Sequence, residues 1–262
     1  MTSFVPFAEA FYRTLVVNGR PAVESNSGYV EISLPREDAA HAAEARILAA
    51  APTVTVLFIT DPSRQRALIE RVERDWPASA PRPVYVIVEG STTTFSDFIG
   101  ARAERRHRVF SVSPLDVPTT ARRFLMRFDA VYPGETTPTL TPGSTYDGLY
   151  ALAYATYALG DRPPTGPDLA RGLARLTSPG HRLECGPTDL LAGIAALARG
   201  ESIDLGGVSG QLDFDPSTGE VARDFTFLCP GVDAAGRASG DVQSGAIYVA
   251  SQQRTIGTLD CP

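Results

Sequence analysis

Two runs of β-branched and aromatic residues are continuous rather than alternating: VTVLFIT (54–60) and PVYVIV (83–88). Strands with this composition are covered on both faces, as in the interior of a parallel sheet. Helical patterns alternate with strand patterns around them about every 25 residues, as βαβ units require. The predicted strands are 28–33, 54–60, 83–88 and 108–112, and the predicted helices are 6–17, 37–50 and 63–75. Residues 1–112 therefore predict an α/β fold.

The pattern changes after residue 113, where helices follow one another without intervening strands. These predicted helices are 118–131, 146–160, 166–176 and 187–200. They have the pattern either of a bundle or of the outer layer of a sheet supplied elsewhere. Short strand-like stretches, VSGQLDFD, RDFTFLC and GAIYVAS, follow after residue 208 and are separated by turn residues. Only the second alternative, an outer helical layer on a sheet, explains these strand-like stretches.

Composition and charge exclude several classes of protein. Hydrophobic residues make up 43% of the 262 residues and charged residues 21%, as in a folded globular chain. The net charge is −6, and the one basic cluster is 102–108, so we expect no nucleic-acid partner. No apolar run reaches the roughly 18 to 20 residues of a membrane-spanning helix. The opening residues also lack the pattern of a signal peptide.

Three segments in this order resemble the second half of the branched-chain amino-acid-binding group of type 1 periplasmic binding proteins. They are FAEAFYRTLVVNGRPAVESNSGYV, YDGLYALAYATYALG and GVSGQLDFDPSTGEVARDFTFLCPGVDAAG. In that family the first segment opens the second lobe, the second is a long helix of the first lobe, and the third returns to the second lobe. The resemblance implies that the N-terminal part of lobe one is missing.

The resemblance implies one complete Rossmann-like parallel-sheet lobe, 1–112 with 223–262, and a partial, mostly helical lobe, 113–222. It also implies a non-catalytic, extracytoplasmic or periplasmic module that binds a small polar ligand such as an amino acid by hinge closure. Partners would be a membrane permease or receptor subunits. Two alternatives stay open: an interaction module that docks on another chain, and an α/β enzyme of unrecognised class.

Four tyrosines form one stripe along the predicted helix 146–160: Tyr146, Tyr150, Tyr154 and Tyr157. Leucines and alanines widen this apolar surface, which is typical of a core helix. In the family that the sequence resembles, the core that this helix joins belongs to the missing sheet. We therefore expect an exposed apolar patch around the helix unless another chain covers it.

The candidate ligand site lies in two loops that follow predicted parallel strands, because ligands of open α/β folds bind beyond the carboxyl ends of strands. One loop contains Asp61 and Ser63, and the other contains Glu89, Gly90 and Ser91. By resemblance, Glu89 pairs with the ammonium group of the ligand. Simpler roles remain for both acids, since Asp61 before a proline is a standard helix N-cap and Glu89 could cap a helix at 94–100.

No enzyme or metal motif is complete. GGVSG (206–210) lacks the last glycine of a nucleophile elbow, and DFDPSTGE (213–220) fits a hairpin turn better than a calcium loop. His181 and Cys185 are four residues apart but have no third ligand near them in sequence. We expect no catalytic residue, no bound metal and no cofactor.

The three cysteines are Cys185, Cys229 and Cys261. Cys229 and Cys261 each end a strand-like stretch, so adjacent strands could bring them together in a disulfide. Such a bond would suit an exported protein. The alternative is two unrelated buried thiols.

Overall fold

The computed structural model describes residues 5–17, 19–24, 28–32, 40–59, 61–88, 90–100, 102–115, 118–135 and 142–262. The chain forms two compact units. The first unit comprises Met1–Ser113, Phe227–Ser244 and Leu259–Pro262. The second comprises Pro114–Thr226 and Gly245–Thr258.

Helices and strands alternate in the first part of the chain and helices dominate its middle. The helices are α1 (Val5–Thr14), α2 (Ala40–Ala50), α3 (Pro62–Asp75), α4 (Ser96–Gly100), α5 (Ala103–Arg106), α6 (Pro118–Val131), α7 (Gly143–Ala158), α8 (Gly166–Leu173) and α9 (Leu190–Ala198). The strands are β1 (Val16–Val17), β2 (Arg20–Pro21), β3 (Val54–Leu57), β4 (Val84–Val88), β5 (Val109–Pro114), β6 (His181–Glu184), β7 (Ile203–Gly206), β8 (Phe225–Val232), β9 (Ala238–Val249) and β10 (Arg254–Ile256).

The main sheet has six strands in the order β10-β9-β8-β5-β4-β3. Strands β3, β4 and β5 run parallel, whereas β9 and β10 are antiparallel. The continuous apolar runs of the sequence thus form parallel strands, as predicted, and the fold is α/β with a mixed, partly parallel sheet. The predicted interior position is wrong for β3, which lies at the edge of the described sheet with Val54 50% exposed. The finer description as a complete Rossmann-like lobe beside a partial lobe stays a prediction.

The predicted strand 28–33 is wrong over residues 28–32, which are neither helix nor strand; residue 33 lies outside the described part of the chain. Side-chain contacts hold this segment instead of a ladder of backbone hydrogen bonds. The ring of Tyr29 lies 4.7 Å from that of Tyr12, and the Glu31 carbonyl accepts a hydrogen bond from Arg46.

A strand does separate the helices after residue 113, which corrects the prediction of uninterrupted helices. Strand β6 lies between α8 and α9 and pairs in parallel with β7, with Leu183 opposite Leu205. Only one of the four residues of β6 is apolar, so its sequence carries little strand signal. VSGQLDFD forms no regular strand and contributes only isolated bridges, Gly206 with Gln211 and Phe214 with Val221.

The core of the first unit lies between the parallel strands and helices α2 and α3. Its fully buried side chains include Ile69, Val72, Tyr85, Ile87 and Val109. The apolar residues of α3 recur at helical spacing, so one face of this helix packs on the sheet. Glu73 lies on the same helix and is also buried, with its carboxylate bound by two arginines and a tyrosine.

The core of the second unit is formed by α7, α8 and α9 with the small β6–β7 sheet. Tyr154 and Ala155 of α7 pack in one buried cluster with Leu183, Ile203 and Leu205 of the strands. Helices α7 and α8 approach closely at Gly172. A Cβ atom at this position would lie 2.4 Å from the carbonyl oxygen of Ala155. The other face of the sheet carries charged side chains.

Cys229 and Cys261 form a disulfide with Cα atoms 5.6 Å apart, and Cys185 is a free, buried cysteine. This is the pair expected from the sequence. The bond closes a segment of 32 residues and fastens the C-terminus to β8. A disulfide that closes a loop of this length typically stabilises a fold by about 2 to 4 kcal/mol. Within the described residues, no helix is both long and apolar enough to cross a membrane.

Candidate functional site

Asp61 and Ser63 lie at the N-terminus of α3, where Asp61 is the N-cap. The Asp61 carboxylate accepts hydrogen bonds from the Ser63 amide at 2.9 Å and the Ser63 hydroxyl at 2.6 Å. These bonds lower the pKa of Asp61 below its ordinary value, so the carboxylate is charged at neutral pH. Both residues therefore have a local structural role, which is the simpler reading of their sequence.

Gly90 and Ser91 are also held by hydrogen bonds to other protein groups, and the Gly90 carbonyl accepts one from the Ser111 hydroxyl. The Ser91 hydroxyl donates to the Asp241 carboxylate at 2.6 Å and accepts from the Thr93 amide at 3.0 Å. The Thr92 amide donates to the same carboxylate at 2.9 Å. Glu89 lies outside the described residues. Asp241 is far away in sequence, which is why sequence reasoning missed its role in this loop.

The loops after β3 and β4 meet at Gln65, which is only 3% exposed. The Gln65 side chain donates to the carbonyl of Ile59 in the first loop. A Cβ atom at Gly90 in the second loop would lie 3.8 Å from the Gln65 amide oxygen. The two predicted site loops are therefore neighbours, and the side chains of Asp61, Ser63 and Ser91 bond to protein atoms. Ligand binding by Asp61, Ser63, Glu89, Gly90 and Ser91 stays a prediction.

The second unit contains a groove of about 590 Å³, within the size range of small-molecule sites. We call it the α6 groove because one face of α6 forms a wall of it. That face presents Thr120, Arg123, Phe124, Arg127 and Phe128, which recur at the three- and four-residue spacing of a helix face. Segment 184–189 also lines the groove.

Aromatic rings line the α6 groove in a continuous series. The Phe124 ring centroid lies 5.8 Å from that of Phe128 and 4.7 Å from that of Tyr146. Tyr132 extends the series at one end, 4.8 Å from Phe128. Tyr150 lies 5.0 Å from Tyr146 at the other end but does not line the groove. Phe124, Phe128 and Tyr146 are only half-buried, so the groove retains apolar surface that a ligand can cover.

Cys185 and Tyr146 are the groove residues with the largest pKa shifts. Burial and the charge of Asp147 raise the pKa of the Cys185 thiol, and burial together with a hydrogen bond to Tyr150 raises the pKa of Tyr146. Both groups are therefore protonated at neutral pH. A cysteine nucleophile or a tyrosine base needs the opposite shift, so neither group suits that chemistry.

Asp147 fixes the loop that carries Val208 to the α6 groove. Its carboxylate is 1% exposed and accepts hydrogen bonds from the amides of Val208 and Ser209 at 2.8 and 2.7 Å. The Ser209 hydroxyl also donates to it at 2.6 Å. A Cβ atom at Gly207 would lie 2.3 Å from the carboxylate, so the loop wraps closely around it. GGVSG (206–210) is thus a binding loop for this buried carboxylate.

The part of the chain that the structure describes holds no group of three His, Cys, Asp or Glu side chains that could hold a metal ion. The resemblance to type 1 periplasmic binding proteins rests on three segments of the sequence and stays a prediction. Comparison of the chain with protein-family models and with curated proteins finds no match.

Proposed function

We propose that this protein is a non-catalytic solute-binding or ligand-sensing module for a small polar molecule, related to type 1 periplasmic binding proteins. The observation that carries the proposal is the α6 groove: it has the volume of a ligand site, aromatic walls and charged groups at its edges. The disulfide supports a location outside the cytoplasm, because such bonds persist in oxidising compartments.

Thr188→Trp is expected to block ligand binding, because Thr188 is exposed and lines the α6 groove, which an indole would partly fill. The measurement is isothermal titration with the common amino acids and a set of small aromatic and aliphatic carboxylates. At least one compound should bind, and Thr188→Trp should weaken its binding about tenfold or more, which is about 1.4 kcal/mol.

Thr156→Trp is the matched control, since Thr156 is exposed on α7 and does not line the groove. It should leave binding unchanged. If Thr188→Trp has no effect on a compound that binds, the ligand site is elsewhere. If no compound binds to the wild-type protein, the proposed function is wrong.

A second function, docking on another protein chain, is favoured by the outer face of α7. Leu149 and Leu152 are 68% and 51% exposed, and the one charged residue of this helix, Asp147, is buried. A helix without charges on either face is normally covered on all sides. We infer that a partner chain with an apolar surface covers this face.

Leu149→Lys combined with Leu152→Lys is expected to abolish binding of an apolar-surface dye and any self-association seen by sedimentation, because it places two charges on the outer face of α7. Leu191→Lys is the control, since Leu191 is 76% exposed on α9 rather than on α7. A wild-type protein that is monomeric at high concentration and binds no dye would contradict the docking function.

A further inference from the structure

Two arginines on the α6 wall of the groove have no carboxylate partner among the residues that the structure describes. Arg123 and Arg127 are four residues apart, where like charges on a helix repel. Within the described residues, neither guanidinium forms an ion pair with a carboxylate. Elsewhere the chain does neutralise such charges: Arg66 on α3 binds Glu70 four residues later at 2.7 Å. The positive charge on the groove wall is therefore available to a ligand.

The two carboxylates that line the groove, Glu184 and Asp189, have different partners. Glu184 pairs with Arg182 at 3.5 Å. The Asp189 carboxylate accepts a hydrogen bond from the Glu184 amide at 2.9 Å. Among the described groove residues, two arginines and one carboxylate, Asp189, have no ion pair, so the unpaired charge is positive. A ligand with a negative charge is complementary to it, and a ligand with only a positive charge is not.

The position of the arginines relative to the rings specifies the ligand further. Arg123 and Arg127 line the groove together with Phe124 and Phe128 of the same helix. Arg127 and Tyr146 both line the groove, and the charge of Arg127 acts on the Tyr146 hydroxyl. Half-buried rings favour a flat, apolar ligand that stacks on them.

We propose that the α6 groove binds an aromatic carboxylate of one or two rings, with its carboxylate on Arg123 and Arg127 and its ring against Phe124, Phe128 and Tyr146. This inference rests on the proposed solute-binding function and names the ligand class for it. Guanidinium groups bind carboxylates through charge-assisted hydrogen bonds, and the aromatic series buries the apolar part.

Three probes with the same two-ring body and different charges test the ligand class: 2-naphthylacetate, its neutral amide and the cationic 2-(2-naphthyl)ethylamine. Titration of the wild-type protein should give the tightest binding for the acid and the weakest for the amine. Arg123→Gln combined with Arg127→Gln should weaken binding of the acid about tenfold, as expected for charge-assisted hydrogen bonds, and change binding of the amide less than about twofold.

Arg122→Gln is the matched control, because Arg122 is exposed on the same helix but does not line the groove. It should leave all three affinities unchanged. Equal or tighter binding of the amine, no binding of the acid at millimolar concentration, or an unchanged affinity for the acid in the double variant would overturn the ligand class. If Thr188→Trp still blocks another solute, the proposed function survives that failure; if nothing binds, both fail.

Discussion

Glu73→Gln is expected to lower the free energy of unfolding of the first unit by about 3 to 5 kcal/mol, the usual effect of removing one partner of a buried ion pair. The Glu73 side chain is 3% exposed. Arg108 donates to its two carboxylate oxygens at 2.7 and 3.0 Å, and Arg82 donates at 2.9 Å. A neutral amide would leave the half-buried Arg108 guanidinium without its counter-charge.

This effect should depend on pH with a definite sign. Burial raises the pKa of Glu73, but the hydrogen bonds and charge of Arg108 and the charge of Arg82 outweigh it, so the pKa lies below its ordinary value of 4.5. A carboxyl group whose pKa is lower in the folded protein than in the unfolded chain stabilises the fold at pH values above its unfolded pKa. This stabilisation is lost as the pH falls through the folded pKa. The difference in free energy of unfolding between wild type and Glu73→Gln should therefore be constant near neutrality and shrink below pH 4.5.

Chemical denaturation combined with hydrogen exchange measures the effect in each unit separately. Glu70→Gln is the control on the same helix, because the Glu70 side chain is 35% exposed and its ion-pair partner within the described part of the chain is Arg66. It should cost less than about 1 kcal/mol. Equal effects of the two substitutions would contradict the structural role assigned to Glu73.

Asp147→Ala is expected to destabilise the second unit by about 3 to 5 kcal/mol, because it leaves two buried amides and a hydroxyl without their acceptor. The loop around Val208 would lose its anchor, and ligand binding in the α6 groove would weaken as a result. Hydrogen exchange of the Val208 and Ser209 amides, which donate to Asp147, is the most local measurement.

Asp147→Asn keeps the shape of the side chain and serves as a second variant if Asp147→Ala does not fold. It should cause a smaller loss of protection at the same amides. Asp161→Ala, at an exposed position after α7, is the control and should change stability by less than about 0.5 kcal/mol. Unchanged protection of the Val208 and Ser209 amides in either Asp147 variant would show that this carboxylate does not hold the loop.

The elements with strong local signals were predictable from the sequence. Helix α6 was expected at 118–131 and spans Pro118–Val131, and the apolar runs at 54–60 and 83–88 contain β3 and β4. Strand β6 was missed because it has four residues, three of them charged or titratable, and is stabilised by its pairing with β7. The strand predicted at 28–33 failed for the converse reason: its local pattern fits a strand, but tertiary contacts give it another role.

The candidate site was less predictable than the fold. Asp61 has the N-cap role that its position before Pro62 indicates, whereas the partners of Ser91 and Asp147 are distant in sequence. The α6 groove combines a helix near residue 120 with a segment near 185, so no sequence spacing reveals it. The repeated Arg-Phe pair at four-residue spacing on α6 was its one local signal.

Mapping of ligand binding onto individual amides by NMR tests most directly the central claim, that this protein binds a small solute in the α6 groove. Titration with 2-naphthylacetate, or with any solute that binds more tightly, should shift amide resonances within 120–132 and 184–189. It should leave those of 61–65 and 90–93 unchanged. Shifts confined to 61–65 and 90–93 would place the site in the loops after β3 and β4 and contradict the claim, as would the absence of shifts for every solute tested.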